Sequence, residues 1–540
     1  MIVQSMLLNV IKKGFVFFDI SIIERMNKMK YLGFYLGGHD SNVSLVDEDG
    51  TVRYFKLERL IQSKHKKGDI NWILQICKNE DFVPNMICFS DGNRNKLGIC
   101  SYGQVWQEVA PFSWFPDAKT YCIDHHYAHV LSAWPVIGEN EKFNYGVCVD
   151  GRGDHQIKCS IITKPFDIWK ACYSYSSLDD EFCLMFNKIG KLMNLCGGEL
   201  DFAGKIMGAH AYGEINLAYI NQCEDYANKN GIGETLNMMY EGVAISELCY
   251  STGKQFYDWL ASYHFWIEKR ICNILKENIK DSSLPIIYSG GGAQNTVYNN
   301  HFSELYDMRI PPHCYDGGIS LGCVKFLSIL NDSKITIKGF PFCQGEEDLG
   351  YASEKTIEKV AELLADGKIV GWCQGRSEIG PRALGHRSIL MNPAITNGKE
   401  IMNCRIKKRE EWRPFAASIL YDDVRNITGK EVSLDYMLHA VKVIPKFQRD
   451  LISVTHVDET CRFQTVKDTK ELHSFYKLIK NFKDKTGVVG VLNTSYNASG
   501  MPIAYSRHDI LLAFSSLDLD ALCIGDELIV RSDFFGRISE

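Results

Sequence analysis

His125 and His129 stand four residues apart in the stretch Tyr121-Cys-Ile-Asp-His-His-Tyr-Ala-His129. The run 121–123 reads as the end of a strand, and Asp124 is a good N-cap for a helix that follows. On that helix both imidazoles share one face, one turn apart, while His126 is rotated by about 100° and points elsewhere. Such a pair is either half of a metal site or a solvated, backbone-bonded helix start; carboxylates from elsewhere must decide. Asp150, where the apolar run YGVCV ends in a glycine turn, and Asp316, at a loop-to-helix start, can supply them from rigid supports. Turn capping is the competing role for each. Two His and two Asp suit a borderline divalent ion: Fe2+, Mn2+ or Zn2+.

Other groups could handle phosphate or protons. His39 with Lys64 and His65 makes an acid/base or charge-stabilising set. Lys205, in Gly204-Lys-Ile-Met-Gly208, could neutralise a phosphate, and Gly290-Gly-Gly292 before a helix offers backbone N–H groups to one. Toward the C-terminus the pattern thickens. GRSEIGPRALGHRSIL (375–390) carries Arg376, Arg382 and Arg387; KKREEWRPF (407–415) carries Lys407, Arg409 and Arg413; LNTSYN (492–497) adds Ser495 and Asn497 directly after a strand. Guanidinium groups in turn-rich sequence suit bidentate binding of several phosphates. The competitors are a nucleic-acid groove, which sparse aromatics and an acidic net charge disfavour, and a solvated basic face.

Two repeated units position the first set. Segment 31–36 reads as a strand, Gly37-Gly38-His39-Asp40 turns into 43–46, and Asp49-Gly50 turns again into 52–57, a strong hairpin signal. A second copy runs 145–149, the turn Asp150-Gly-Arg-Gly-Asp154, then 157–162 and 168–175. The pair predicts a duplicated α/β core, the plan of sugar kinases, actin and Hsp70. Helical spacing dominates 179–275, for example Trp259, Tyr263, Ile267 and Ile271. A strand returns at 285–289, and Asp316-Gly-Gly318 opens a helix over 319–330. Residues 331–353 read as a linker. A fresh unit then starts: Ile357, Val360, Ala361 and Leu364 mark an amphipathic helix, 369–372 a strand, with further strands near 415–420 and 488–492 and a helix at 507–516.

At 540 residues the chain should hold two or three cores. Hydrophobic content of 45% and charge of 23% are ordinary for a soluble globular protein, and a net charge of -6 leaves no general nucleic-acid footprint. Nineteen cysteines without a C-x-x-C pair argue against a zinc ribbon or a disulfide framework and for free thiols in a reducing cytosol. Residues 1–28 read as an N-terminal extension that is not a signal peptide. No apolar run reaches 18 residues, so no membrane span is expected.

From about residue 30 the chain resembles the carbamoyltransferase family of nodulation and antibiotic O-carbamoylation enzymes. The resemblance rests on HDSNVSLV (39–46), ERLIQSKH (58–65), DHHYAH (124–129), VDGRGD (149–154), GKIMGAHAYG (204–213), SGGGAQN (289–295), DGGISLG (316–322), GRSEIGPRALGHRSIL (375–390), KKREEWRPFAASIL (407–420) and LNTSYNASGMPI (492–503). The Gly-Pro-Arg-Ala-Leu-Gly block is the most specific. The resemblance implies an α/β protein with a duplicated actin/Hsp70-like (ribonuclease-H-like) domain over 29–330, similar to the tRNA threonylcarbamoyl-transfer protein, with a helical insert at about 215–280. After the linker, 354–540 would be an α/β domain similar to the threonylcarbamoyl-adenylate synthase.

By that likeness, carbamoyl phosphate and ATP, with Mg2+, react in the C-terminal domain to give carbamoyl-adenylate, phosphate and pyrophosphate. The N-terminal domain then passes the carbamoyl group to a hydroxyl of a sugar, nucleoside or secondary metabolite. His125, His129, Asp150 and Asp316 would hold the metal, commonly iron in relatives. His39 and Lys64 would contact the carbamoyl and acceptor groups; Gly204, Lys205, Gly208, Gly290, Gly291 and Asn295 the adenylate. Arg376, Arg382, Arg387, Lys407, Arg409, Arg413, Ser495 and Asn497 would hold carbamoyl phosphate and ATP. Two residues depart from the family pattern: Gln294 in the adenylate loop and Tyr496 in place of Phe. Competing readings are a carbamoyl-dependent maturation factor acting on a protein thiol, which usually adds an acylphosphatase-like domain and zinc-finger cysteines, a kinase on the same core, and a metal-containing nucleotide-binding protein without transferase activity.

Overall fold

The computed structural model describes residues 29–91, 100–240, 242–251, 253–345 and 347–532; the expected extension 1–28 lies outside the described residues. Strands β1 (Tyr31–Tyr35), β2 (Asn42–Val46) and β3 (Val52–Lys56) form an antiparallel meander. Gly50, at φ +80°, makes the turn between β2 and β3, a conformation glycine adopts without a Cβ penalty. On the other side of β1, β4 (Met86–Ser90) and β6 (Lys119–Ile123) run parallel, and β5 (Trp106–Val109) closes the edge antiparallel to β6.

The second sheet repeats the plan. β7 (Tyr145–Val149), β8 (Cys159–Thr163) and β9 (Cys172–Ser177) form the meander. A small hairpin of β10 (Met239–Tyr240) and β11 (Val243–Ala244) stands apart in the helical insert. β12 (Ile286–Ser289) then pairs parallel with β7, and β13 (Met308–Arg309) with β12. Read outward from β1 and from β7, both sheets carry a two-stranded antiparallel continuation on one side and two parallel strands on the other, with β5 added at the edge of the first sheet. This shared topology is the duplicated α/β core that the two hairpin units predicted. β9 starts at Cys172, later than the expected 168, because turns fill 164–171 and Lys164 sits at φ +47°.

Two helices lie in the core between the sheets. His125–Leu131 is buried at every position, and Ile319–Leu330 is buried on nearly all sides, so periodic polarity has no role in either. They pack backbone to backbone at Gly322, where a Cβ would lie 2.0 Å from the Ala128 carbonyl oxygen. The insert is built on the helices Leu217–Asn230, Ile245–Ser251 and Lys254–Asn278; on the last, Trp259, Tyr263, Ile267 and Ile271 face the core at helical spacing.

The C-terminal domain is one eight-stranded mixed sheet. Its strands are β14 (Val370–Cys373), β15 (Arg387–Met391), β16 (Ala416–Leu420), β17 (Ala440–Lys442), β18 (Thr460–Val466), β19 (Gly490–Ser495), β20 (Ala521–Ile524) and β21 (Glu527–Val530), in the order β17-β18-β16-β19-β15-β14-β20-β21. The amphipathic helices Glu354–Ala365 and His473–Thr486 pair on it through Ile357, Val360, Leu364, Leu478, Ile479 and Phe482. The segment 331–353 is tied down rather than loose: Thr336 bridges Thr51, Gln344 bridges Ser377, and Phe342 stacks on His386 at 3.7 Å. Among the described residues no helix is long and apolar enough to cross a membrane.

Candidate active site

The Asp124 side chain accepts the Tyr127 N–H at 3.0 Å and caps the helix that carries the histidine pair. The Nε2 atom of His125 lies 3.6 Å from Asp150 Oδ2 and 3.5 Å from Asp316 Oδ1; that of His129 lies 4.0 Å from Asp150 Oδ1 and 3.4 Å from Asp316 Oδ1. All four ligand atoms fall within 4.8 Å of one another. A tetrahedral ion with ligand bonds of about 2.1 Å spaces its donors about 3.4 Å apart, so the set fits. Neither imidazole has a hydrogen-bond partner within the protein for its buried ring nitrogens, and burying polar atoms without a partner is costly unless an ion satisfies them. Burial opposes charge on His125, yet the nearby Asp150 and Asp316 carboxylates hold it well above its ordinary range. His126 points away, its Nδ1 2.8 Å from Ser160 Oγ.

Neighbouring groups orient the aspartates. Tyr35 donates its hydroxyl to Asp316 Oδ2 at 2.7 Å, and the Gly291 N–H donates to Asp150 Oδ1 at 2.7 Å. The expected phosphate nest at Gly290–Gly292 is therefore partly spent: Gly291 holds a metal-ligand candidate and Gly290 donates to the Cys314 carbonyl.

A second acid–histidine group, Asp40, Glu58 and His65, has the spacing of a metal site, but a cation already fills it. Lys56 Nζ sits 2.8 Å from both Asp40 Oδ1 and Glu58 Oε1. Asp40 also holds His39, whose Nδ1 lies 2.8 Å from Asp40 Oδ2, and His65, whose Nδ1 lies 3.1 Å from the same oxygen. His65 Nε2 faces Asp201 at 3.6 Å. Burial works against its charge, but hydrogen bonds to Asp201 and Asp40 push His65 up to about 9.

These groups open on two adjoining cavities. One, of about 330 Å³, is bounded by His39, Asp150, Asp316, Gly291 and Asn295 and by an apolar wall of Phe182, Leu184, Phe186, Met207 and Tyr298. The other, of about 590 Å³, lies between the domains and takes in Lys64, Lys205, Lys407, Arg409, Arg413, Ser495 and Asn497. Asp40, His65, Gly204, Gln294, Tyr315 and Arg382 line both. Lys407 donates to the oxygens of Ser495 and Asn497, 2.8 Å from Asn497 Oδ1. Burial, then Arg409, Lys64 and Arg413, depress Lys407 well below the usual lysine range. Burial likewise brings Arg382 down to about 10. Cations crowded into a desolvated space call for an anion there.

Several residues are placed otherwise than the sequence suggested. Arg376 is exposed and bounds neither cavity. Arg387 is fully buried in the fold and donates to the carbonyls of Gln374, Gly375 and His386, at 2.6, 3.2 and 2.9 Å; backbone oxygens engage both of the Nη groups it would offer a phosphate. Lys205 is ion-paired with Glu410 at 2.6 Å, and Gly208 faces Pro414, leaving neither beside the apolar pocket. Gly290 shapes the turn after β12 at φ +90°. The Tyr496 hydroxyl is turned into the core, donating to the Ile510 carbonyl at 3.0 Å. Sequence reasoning missed Arg462, which stands in β18 beside Arg382 and Arg409 with its Nε unpartnered. A lone arginine in a strand carries no local signal. Asp201 was also missed, though it lies four residues before Lys205 in one helical run.

Residues 361–531 match the family described as "Carbamoyltransferase C-terminus". Over 530 residues, 92% of this chain and 98% of the relative, the sequence is 27% identical to an uncharacterized protein of Methanocaldococcus jannaschii. Nodulation protein NolNO of Sinorhizobium fredii is 28% identical over 445 residues, 76% of this chain and 64% of that protein. The 3'-hydroxymethylcephem-O-carbamoyltransferase of Amycolatopsis lactamdurans is 29% identical over 545 residues, 92% of this chain and 98% of that enzyme. The C-terminal third of the chain thus matches a carbamoyltransferase domain, and the similarity to a 3'-hydroxymethylcephem-O-carbamoyltransferase extends through the histidine-bearing domain as well.

Proposed function

We propose that the protein is an ATP-dependent O-carbamoyltransferase that uses carbamoyl phosphate and moves the carbamoyl group, through a carbamoyl-adenylate, to a hydroxyl of a small-molecule acceptor. The observation that carries this reading is the adjacency of two unlike cavities that share Arg382, Gln294 and His65, one rich in cations and one flanked by a His2Asp2 donor set.

In the cation-rich cavity, carbamoyl phosphate gives up its phosphate to water, leaving carbamate. A carbamate oxygen then bonds to the α-phosphorus of ATP while the bond to the β-phosphate breaks and pyrophosphate leaves. Arg382, Arg409, Arg413 and Arg462 supply guanidinium groups for the phosphate charge, and Lys407, held by Ser495 and Asn497, fixes the floor of the site. A site between two domains limits the water that reaches labile carbamoyl species.

The adenylate then occupies the first cavity, with its base against the apolar wall and its phosphate toward Asn295 and the Gly291 turn. The acceptor oxygen attacks the carbamoyl carbon, AMP leaves, and we assign the hydroxyl proton to Nε2 of His39, because Asp40 orients Nδ1. Lys64 and His65 offer positive charge near the reacting group. His125, His129, Asp150 and Asp316 would hold a divalent ion, with Fe2+, Mn2+ and Zn2+ all compatible with the donors; the chemistry such an ion supplies is polarisation of the carbonyl.

Carbamoyl-phosphate-dependent exchange of pyrophosphate into ATP tests the activation step without an acceptor. Exchange by metal-loaded protein is expected; none overturns the reading.

A further inference from the structure

The helix Glu199–Ala209 touches both sites with one face. Asp201 Oδ1 accepts from Lys64 Nζ at 3.3 Å and lies 3.6 Å from His65 Nε2. One turn on, Lys205 Nζ lies 2.6 Å from Glu410 Oε1, in the loop that follows the helical turn ending at Lys407 and that also carries Arg409 and Arg413. At the next turn a Cβ on Gly208 would meet Pro414 Cδ at 3.0 Å, and the Gly208 carbonyl accepts from His456 Nε2 at 2.8 Å. Positions 201, 205 and 208 share a face by helical geometry, so one rigid element bears on the transfer centre at one end and on the phosphate-binding loop at the other.

Charge makes Glu410 the sensitive point. Among the described residues it is the only carboxylate of the C-terminal domain that lines the interdomain cavity. It has two cationic partners: Lys205 and, at 3.8 Å, Arg413. A polyphosphate in the cavity competes for the Arg413 guanidinium and leaves the carboxylate to Lys205. The pair is largely screened from solvent, at 7% and 18% side-chain exposure, so this redistribution is poorly damped by water. The two occupancies thus make different contacts with the helix, as coupling requires.

We propose that this helix couples the two sites, with Asp201 the positioning residue for Lys64 and His65 and Glu410 the residue through which phosphate occupancy reaches it. The inference rests on the carbamoyl-transfer reading for its purpose but not for its test.

Amide hydrogen exchange of the full-length protein over 58–66, the segment bearing Lys64 and His65, reads the coupling. Without nucleotide, Glu410→Gln should exchange there at least five-fold faster than the unaltered protein, and Glu410→Asp, which keeps the charge, should stay within two-fold. Adding ATP should protect 58–66 in the unaltered protein and in Glu410→Asp but not in Glu410→Gln. Asp201→Asn should loosen the same amides while ATP still protects the 407–413 segment, a pattern that general loss of folding would not produce. Unchanged exchange at 58–66 in Glu410→Gln, with and without ATP, overturns the proposal. Absent pyrophosphate exchange would instead sink the activation chemistry, while the nucleotide-free measurement still decides the role of the helix.

Discussion

Gly322 and Ala128 meet with no side chain between them: a Cβ at 322 would stand 2.0 Å from the Ala128 carbonyl oxygen. Ala128 sits beside His129, and Gly322 lies on the helix that follows Asp316. Their contact sets how closely the imidazole face approaches the Asp316 carboxylate. Because the obstructing atom is backbone, no rotamer change can relieve a larger residue there.

Gly322→Ala should therefore push the two core helices apart and cost about 1–3 kcal/mol of stability or more. The telling result is metal content. Elemental analysis of the folded variant should find bound divalent metal well below that of the unaltered protein. Full metal content would show that this contact does not set the ligand spacing.

Tyr35 steadies Asp316 through a 2.7 Å hydrogen bond. Groups that orient a metal ligand typically contribute 10–100-fold in affinity. Tyr35→Phe should lose that much metal affinity in a chelator competition while circular dichroism remains unchanged. An affinity equal to that of the unaltered protein would remove Tyr35 from the site.

Three arginines should separate cleanly. Arg387→Met strips donors from buried carbonyls and should lower stability by about 3–5 kcal/mol. Arg462→Met should leave the fold standing and raise the KM for ATP by roughly 10–100-fold, the equivalent of about 1.5–3 kcal/mol for one charge-assisted contact. Arg376→Ala, at an exposed position, should change stability by no more than about 0.5 kcal/mol. A denaturant titration and ATP dependence of pyrophosphate exchange measure all three.

His65 makes stability depend on pH in a definite direction. Its folded value, raised to about 9, exceeds the ordinary 6.5, so the native state binds the proton more tightly than the unfolded chain. The contribution is fully present below about 6.5, declines as pH rises, and is gone above about 9. Denaturant midpoints measured from pH 6 to 9.5 should fall more steeply for the unaltered protein than for His65→Gln. Parallel curves would show that the Asp40–His65–Asp201 contacts carry no net proton linkage.

The local parts of this molecule could be read directly. Helical pitch alone puts His125 and His129 on one side and His126 on the other, and Asp124 caps their helix as its side chain requires. Apolar alternation broken by Asp49-Gly50 specified the first meander, and the same pattern around Asp150 exposed the duplication. These features depend on neighbours within a turn or a hairpin. Tertiary packing decided what lay far apart in the chain: the approach of Asp150 and Asp316 to the histidines, the burial of Arg387 beneath carbonyls, the arrival of Arg462 in the cation cluster, and the commitment of Lys205 to Glu410. An arginine or lysine looks alike in sequence whether it meets a backbone oxygen, a carboxylate or open space. Only the packing of helices and sheets against one another determines which of those partners its charge finds.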